Sequence, residues 1–319
     1  MANKLDLSGH EAEFETVPLA KTNLPQLEEL LSEEVVAWRV KLHWDYSRTA
    51  DLIREYAQAG VIPGFGLVYR GHLSGYGYYM MRDGLGSVGD VFASQSCPDP
   101  DAAGEFILAR ICGEMIERNE CRRIEGQLFS LTHGWSEILE TTFLKRYQRL
   151  YMRRIISREA LRSSMTLRPW QNHYLPAAAN LLFCTYQGHL DSEISACYQS
   201  VRNCSEFLRN LVLMPGCGDF LPSASAAHID GRGNLGGFIL ITRIEPHTAL
   251  VPQLCVRPDL EGKGIGGSLL ENACHCLKRM GYQRIFLCVT GANQRARRLY
   301  LRHQFADVQD FSAFYWDRA

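Results

Sequence analysis

The stretch Leu254-Cys255-Val256-Arg257-Pro258-Asp259-Leu260-Glu261-Gly262-Lys263-Gly264-Ile265-Gly266-Gly267-Ser268 constrains this chain most, because an apolar strand candidate runs through a proline turn into a glycine-rich helix start. Amides in a helix's first turn have no partner inside the helix, and successive exposed N–H groups form a cradle for an anion such as a diphosphate. Leu269, Leu270, Ala273, Leu277 and Met280 follow at spacings of three and four, so the glycines open an amphipathic helix. The turn lacks the Gly-Lys-Ser or Gly-Lys-Thr ending of a nucleoside triphosphate loop. It also lacks a strand-ending acid about twenty residues on, which a dinucleotide ribose needs. Taken alone, it is equally a tight strand-to-helix connection.

A second element narrows the reading. Asn293-Gln294-Arg295-Ala296-Arg297-Arg298-Leu299-Tyr300, with Phe305 beyond it, begins just after the apolar strand Ile285–Val289. Asn293 reads as a helix cap, and Ala296 and Tyr300 lie one turn apart on one face with Leu299 turned toward the core. A small residue beside a tyrosine leaves room for something slender to pass. Together the two elements resemble the GNAT superfamily of acetyl-CoA-dependent acyltransferases. Glu261, Gly264 and Gly266 fall on its glycine signature, and Asn293, Ala296, Leu299, Tyr300 and Phe305 on its later helix signature. Two positions depart from the pattern: Glu261 replaces a Gln or Arg, and Gln304 replaces a Gly. The resemblance spans roughly Thr166 to Trp316.

The resemblance implies an α/β fold of the α+β kind: a mixed, mostly antiparallel central sheet flanked by helices, with a splayed strand pair. It implies acetyl-CoA, its diphosphate held by Glu261, Gly262, Lys263, Gly264, Ile265, Gly266, Gly267 and Ser268. The pantetheine arm would lie between Pro252–Arg257 and Ile285–Val289, with Leu254 and Val256 flanking backbone groups of Cys255 and Arg257 available to it. Asn293 would bond a pantetheine amide beside Ala296, and Tyr300 would protonate the leaving sulfur or orient the arm. An ammonium has no lone pair, so a proton must leave before attack on the thioester carbonyl, and an oxyanion and a thiolate must then be stabilised. Glu245 and His247, in the turn before the cofactor strand, are the candidate bases, with a water chain as the rival; each also reads as an ordinary turn residue, and Tyr300 also reads as a core aromatic.

The acceptor should be received by His189 to Asp219 and the turns near His228 and His247. Asp191, Glu193, Glu206 and Asp219 could attract an amine there or simply be solvated. The expectation is acetyl transfer to a primary amine of a small molecule, amino acid or peptide, by direct attack in a ternary complex. A protein amine is the runner-up, and a non-enzymatic acyl-CoA sensor or scaffold is the alternative class, favoured by the Glu261 departure.

A chain of 319 residues is about twice what one such domain needs. A lag slightly above 160 residues sets Leu73–Met81 against Gly236–Thr242, Ser87–Ala93 against Leu250–Val256, and the stripe Phe106, Ile107, Ile111, Met115 against Leu269–Met280. Two domains are expected, over 1–160 and 165–319, each a strand, two helices, three antiparallel strands, a central helix, a parallel strand and a last helix with terminal strands. In the first, Ser94-Gln95-Ser96-Cys97-Pro98-Asp99-Pro100-Asp101 takes the glycine loop's place. Its prolines remove donors and its aspartates repel a diphosphate, so this half reads as a degenerate, structural copy. Thr142 to Tyr151 is its expected last helix and strand. Arg149, Arg153, Arg154, Arg158 and Arg162, against the single acid Glu159, read as a solvated connector at the boundary.

With 34 basic and 35 acidic residues, a nucleic-acid partner is not indicated. The eleven cysteines are odd in number, lack a Cys-x-x-Cys pair and sit among apolar residues, which favours a reduced cytoplasm over a disulfide framework. Cys274-His275-Cys276 points its cysteines in different directions along a helix, so no metal is expected. The N-terminus lacks a positive region followed by an apolar run, and no run of about eighteen apolar residues occurs, so neither export nor a membrane partner is expected. The chain is expected to act as a monomer or homodimer.

Overall fold

The computed structural model describes residues 14–130, 144–156, 165–214 and 217–318. The chain divides into two compact units, Met1–Gln148 with Phe311–Ala319, and Arg149–Asp310.

The first unit runs through strand Glu15–Pro18 (β1), helices Leu24–Leu42 (α1) and Ser47–Gln58 (α2), and a meander of Gly64–Tyr69 (β2), His72–Arg82 (β3) and Leu85–Ala93 (β4). Helix Pro100–Glu117 (α3) then leads to strand Arg123–Leu128 (β5). Neighbours from β1 to β4 are antiparallel, and β5 lies parallel to β4, a connection that needs the crossover α3 supplies. The C-terminal residues Ser312–Asp317 close this sheet antiparallel to β5. Phe106, Ile107, Ile111 and Met115 of α3 bury against one face, while Leu27, Leu30 and Leu31 of α1 and Ile53 of α2 bury in a second cluster with Tyr76 of β3.

The second unit includes residues 149–155 of strand Lys145–Ile155 (β6), followed by Arg168–Pro169 (β7), helices Leu175–Tyr186 (α4), Leu190–Ile194 (α5) and Val201–Leu213 (α6), and strands Asp219–Phe220 (β8), Ala226–Ile229 (β9), Leu235–Glu245 (β10) and Thr248–Val256 (β11). Helix Ile265–Arg279 (α7), strand Arg284–Thr290 (β12), helix Gln294–Arg302 (α8) and the start of Ala306–Asp317 (β13) complete it. Its sheet is antiparallel from β7 through β9 and β10 to β11, then parallel from β11 to β12, and β6 closes it antiparallel to β12. Leu269, Leu270, Ala273 and Leu277 of α7 are buried, as their spacing requires; Met280, the residue that ends the helix, is exposed. Both units run through a strand, helices, three antiparallel strands, a helix and a parallel strand, and each takes its closing strand from the other half of the sequence. A cut between 160 and 165 would leave both sheets one strand short.

The stretch expected as a connector is strand as far as Ile155. Arg158, Glu159 and Arg162, and the helix expected from Thr142, lie outside the described residues.

One irregularity positions the site. β11 pairs with β12 only from Thr248↔Arg284 to Val251↔Leu287, while on its other side it stays paired to β10 out to Val256↔Gly237. The separation begins at Pro252, which has no N–H to give a neighbouring strand, and a bulge between Leu240 and Thr242 of β10 lies opposite. This is the splayed pair that the sequence resemblance implies.

Candidate active site

A cavity of 1130 Å³ opens within the second unit, lined by the glycine turn, the parted ends of β11 and β12, α8 and the α4–α5 region. Gly262 and Gly264 have φ of +74° and +79°, left-handed conformations that favour glycine, and a Cβ built on either meets nothing within 4 Å. The turn is therefore open on the side its side chains would occupy. Gly264 is the N-cap of α7 and offers no side-chain cap, so the helix's first amides are left to an external acceptor. The corresponding helix of the first unit, α3, is capped: Asp99 accepts from the Ala102 amide at 3.0 Å, putting a carboxylate where an anion would sit. The two loops thus differ as their residues suggest.

Glu261, Gly262, Gly264, Ile265, Gly266, Gly267 and Ser268 all line the cavity, as do Leu254, Cys255, Val256, Asn293, Ala296 and Tyr300. Lys263 and Arg257 do not. Arg257 is occupied instead: its guanidinium pairs with Asp259 at 2.6 Å and Asp230 at 2.9 Å, and its amide donates to Gly236 O at 2.9 Å. That last bond corrects the expected backbone pattern. Strand alternation puts the amide of Cys255 on the β10 side with that of Arg257, and the polar groups of Leu254 and Val256 on the edge that β12 has left.

The unfavourable charge of Glu261 is compensated by an ion pair with Arg295 of α8, and both residues line the cavity. Glu261→Gln should therefore tighten binding of a diphosphate by about threefold to tenfold, since it removes one anion and releases one guanidinium from a partly exposed pair. Calorimetry with coenzyme A at low and high salt tests this: the gain should shrink as salt screens it. A salt-independent weakening would show that the pair is needed for the turn's shape.

Asn293 caps α8, its Oδ1 accepting from the Ala296 amide at 3.0 Å, and its Nδ2 lies 3.2 Å from His189 Nε2. Tyr300, 9% exposed, reaches both the core of this unit and the cavity. Burial, with the negative charge of Asp191 adding to it, raises the Tyr300 hydroxyl well above its ordinary value despite Arg149, so the phenol stays protonated. Asp191 is itself buried; Thr290 donates a hydrogen bond to its Oδ1, Arg149 stands 3.7 Å from the same oxygen, and His189 Nδ1 is 3.6 Å from Oδ2. Tyr186 and Tyr198 stack at 4.2 Å, and Gln253 joins their hydroxyls, accepting from Tyr198 and donating to Tyr186, each at 3.2 Å. Burial pushes the neighbouring Cys288 thiol up to about 12.

Glu245 and His247 are not in this cavity. They sit at the start of β11, at the end of the strand far from the glycine turn, where Thr248 bonds Glu245 at 3.2 Å and His247 lies 3.3 Å from Gly281 O. His228 is likewise absent from the lining, and Asp219 is an exposed partner of Arg243. Of the expected acceptor-binding acids, Asp191 alone lines the cavity. His189 and Tyr198, within the expected acceptor region, and Gln253, on the expected arm strand, accompany it, together with Arg149, Tyr186 and Thr290, which the sequence did not suggest as site residues. The eleven cysteines form no disulfide among the described residues. Among the described residues no cluster of His, Cys, Asp or Glu is placed to hold a metal, and no helix is long and apolar enough to cross a membrane.

A glycine turn at an uncapped helix start, an open strand edge and a buried tyrosine thus line one cavity. Residues 196–305 match the Acetyltransferase (GNAT) family. Over 81 residues the chain is 35% identical to the mycothiol acetyltransferase of Beutenbergia cavernae, a match spanning 25% of this chain and only 27% of that relative's length. The fold is similar to that of a GCN5-related N-acetyltransferase from Sphaerobacter thermophilus, with a TM-score of 0.64 and 13% identity over 95% of both chains. A tandem GNAT protein from the clavulanic acid biosynthesis pathway gives a TM-score of 0.59 at 13% identity over 96% of this chain and 98% of its own. Residues 196–305 thus match the GNAT acetyltransferase family, and the chain's fold is similar to that of GNAT proteins, one of them a tandem.

Proposed function

We propose that the second unit transfers an acetyl group from acetyl-CoA to a primary amine of a small molecule, amino acid or peptide, by direct attack with both substrates bound. The observation that carries this reading is the continuity of one cavity from the uncapped start of α7, along the open edge of β11, to Tyr300 and Asp191. The residues suit the donor: left-handed glycines leave space at the turn, α7 offers unpaired amides to a diphosphate, and Leu254 and Val256 offer strand-edge groups to an amide-bearing arm. Acetyl-CoA, when bound, supplies an acetyl group activated as a thioester.

The residues at the inner end divide the proton transfers. Asp191 replaces Glu245 and His247 as the proton acceptor. Its Oδ1 is taken by Thr290, and its Oδ2 is the atom that holds the incoming ammonium and receives its proton, which then leaves through the cavity to solvent; His189 Nδ1 already accepts from the Asp191 amide at 3.1 Å and so positions Asp191. Tyr300, kept neutral by burial and by Asp191, donates to the departing sulfur and is reprotonated by the second proton that the nitrogen loses.

Tyr300→Phe tests this arrangement. The ring's packing in the core is kept, so coenzyme affinity and melting should change little, while turnover should fall about tenfold or more and the high-pH limb of the rate profile should move. Full turnover with an unchanged profile would leave Tyr300 a core aromatic.

A further inference from the structure

We propose that Arg149 is an anion receptor at the acceptor end of the cavity, so that the amine acetylated by this chain carries a carboxylate next to its nitrogen, as a free amino acid does. The proposal rests on the acetyl-transfer reading and narrows its acceptor.

Arg149 is paired with Thr290 across β6 and β12, beside the point where β11 and β12 have parted, and it lines the cavity with Asp191. Its side chain is 14% exposed, yet its nearest carboxylate oxygen, Asp191 Oδ1, is 3.7 Å away, beyond hydrogen-bond distance, and that oxygen already accepts from Thr290. Its buried Nε has no hydrogen-bond partner among the described residues. A guanidinium carries five donors in a planar fork, and burying even one of them unmet is costly. Such a group in a cavity wall is suited to an anion that arrives with the substrate, and the fork matches a carboxylate in bidentate fashion.

The surroundings favour a single carboxylate beside an ammonium. Asp191 stands close enough to Arg149 that one small molecule bearing both charges on adjacent atoms can meet both side chains. The other polar groups nearby are neutral: burial raises the phenols of Tyr186 and Tyr198, and the Cys288 thiol is pushed up to about 12. No second anion therefore competes for Arg149 from that side. A protein lysine or a peptide N-terminus has its carboxylate replaced by an amide and leaves the guanidinium unmatched.

The test is a set of matched acceptors: an α-amino acid, its amide, and the amine left by removing the carboxyl group, each assayed for acetyl transfer by the full chain. In the wild type, kcat/KM for the acid should exceed that for the amide by about 10- to 100-fold, with the difference mainly in KM. Arg149→Met should bring that ratio close to one, and Arg149→Lys should retain part of it because it keeps the charge but not the fork. Equal or better use of the amide by the wild type, or an unchanged ratio in Arg149→Met, would overturn the proposal and leave the transfer reading standing. Transfer to no amine, with coenzyme binding intact by calorimetry, would overturn both. The wild-type comparison needs no variant, so a misfolded Arg149→Met does not remove the test.

Discussion

Gly264→Val should lose at least about a hundredfold in affinity for coenzyme A while the chain stays folded. Position 264 has φ of +79°, a conformation that a β-branched residue adopts only at a cost of about 1–3 kcal/mol. The turn can relieve that strain by rotating, but the rotation redirects the first amides of α7, which have no side-chain cap to hold them. An added Cβ meets no protein atom within 4 Å, so a clash inside the turn is not the cause of the loss. Gly233, in the turn before β10, provides the control: its φ is +82°, an added Cβ is likewise unobstructed, and it does not line the cavity. Gly233→Val should carry similar backbone strain and bind coenzyme normally. Calorimetry on both variants decides the matter; equal losses at the two positions would mean that stability, and not the cradle, controls binding.

The parts of the site that were legible in the sequence are those that local backbone chemistry dictates. The glycine turn shows itself because left-handed conformations at 262 and 264 need glycine, and Asn293 because a helix start needs an acceptor for its orphan amides. Gln304 makes the same point from the other side: it holds a φ of 63° where the family pattern has Gly, so the backbone has kept the bend that glycine normally supplies. Glu245 and His247 were misplaced for want of direction along a strand. A strand advances about 3.3 Å per residue, so the nine residues of β11 separate its two ends by roughly 25 Å, with the glycine turn beyond the far one. Arg149, Tyr186, Asp191, Tyr198 and Gln253 leave no periodic trace, because they arrive from separate elements up to a hundred residues apart and meet only through packing. Asp191 and Glu193 look alike in the sequence; burial alone distinguishes the residue in the cavity from its exposed neighbour.

The same strand position is used differently in the first unit, and there it should make stability depend on pH. The repeat lag sets Asp90 of β4 against Gln253 of β11. Gln253 joins two tyrosines at the cavity; Asp90, 4% exposed, accepts from Tyr46 at 2.6 Å and is hydrogen-bonded to Glu34, which is fully buried. Glu34 also accepts from Tyr76 at 2.5 Å and Trp38 at 3.2 Å, and Tyr78 is the remaining titratable group of the cluster. Burial first, and then the charge of Asp90, raise Glu34 well above its ordinary 4.5, so Glu34 keeps its proton and donates it to Asp90. A folded-state value above the unfolded one means that the folded chain binds the proton more tightly. The resulting stability is complete below about 4.5 and is lost as pH rises through the folded value, with a slope of up to about 1.4 kcal/mol per pH unit for one proton. Glu34→Gln has no proton to lose and should flatten that dependence, gaining on the wild type as pH rises. Glu34→Ala should cost about 3 kcal/mol or more, because Tyr76, Trp38 and Asp90 are left buried without their partner. Urea unfolding of the wild type and both variants at about pH 5 and about pH 8 separates these terms; a stability difference between wild type and Glu34→Gln that is the same at both values would mean that the carboxyl pair does not hold an extra proton in the folded state.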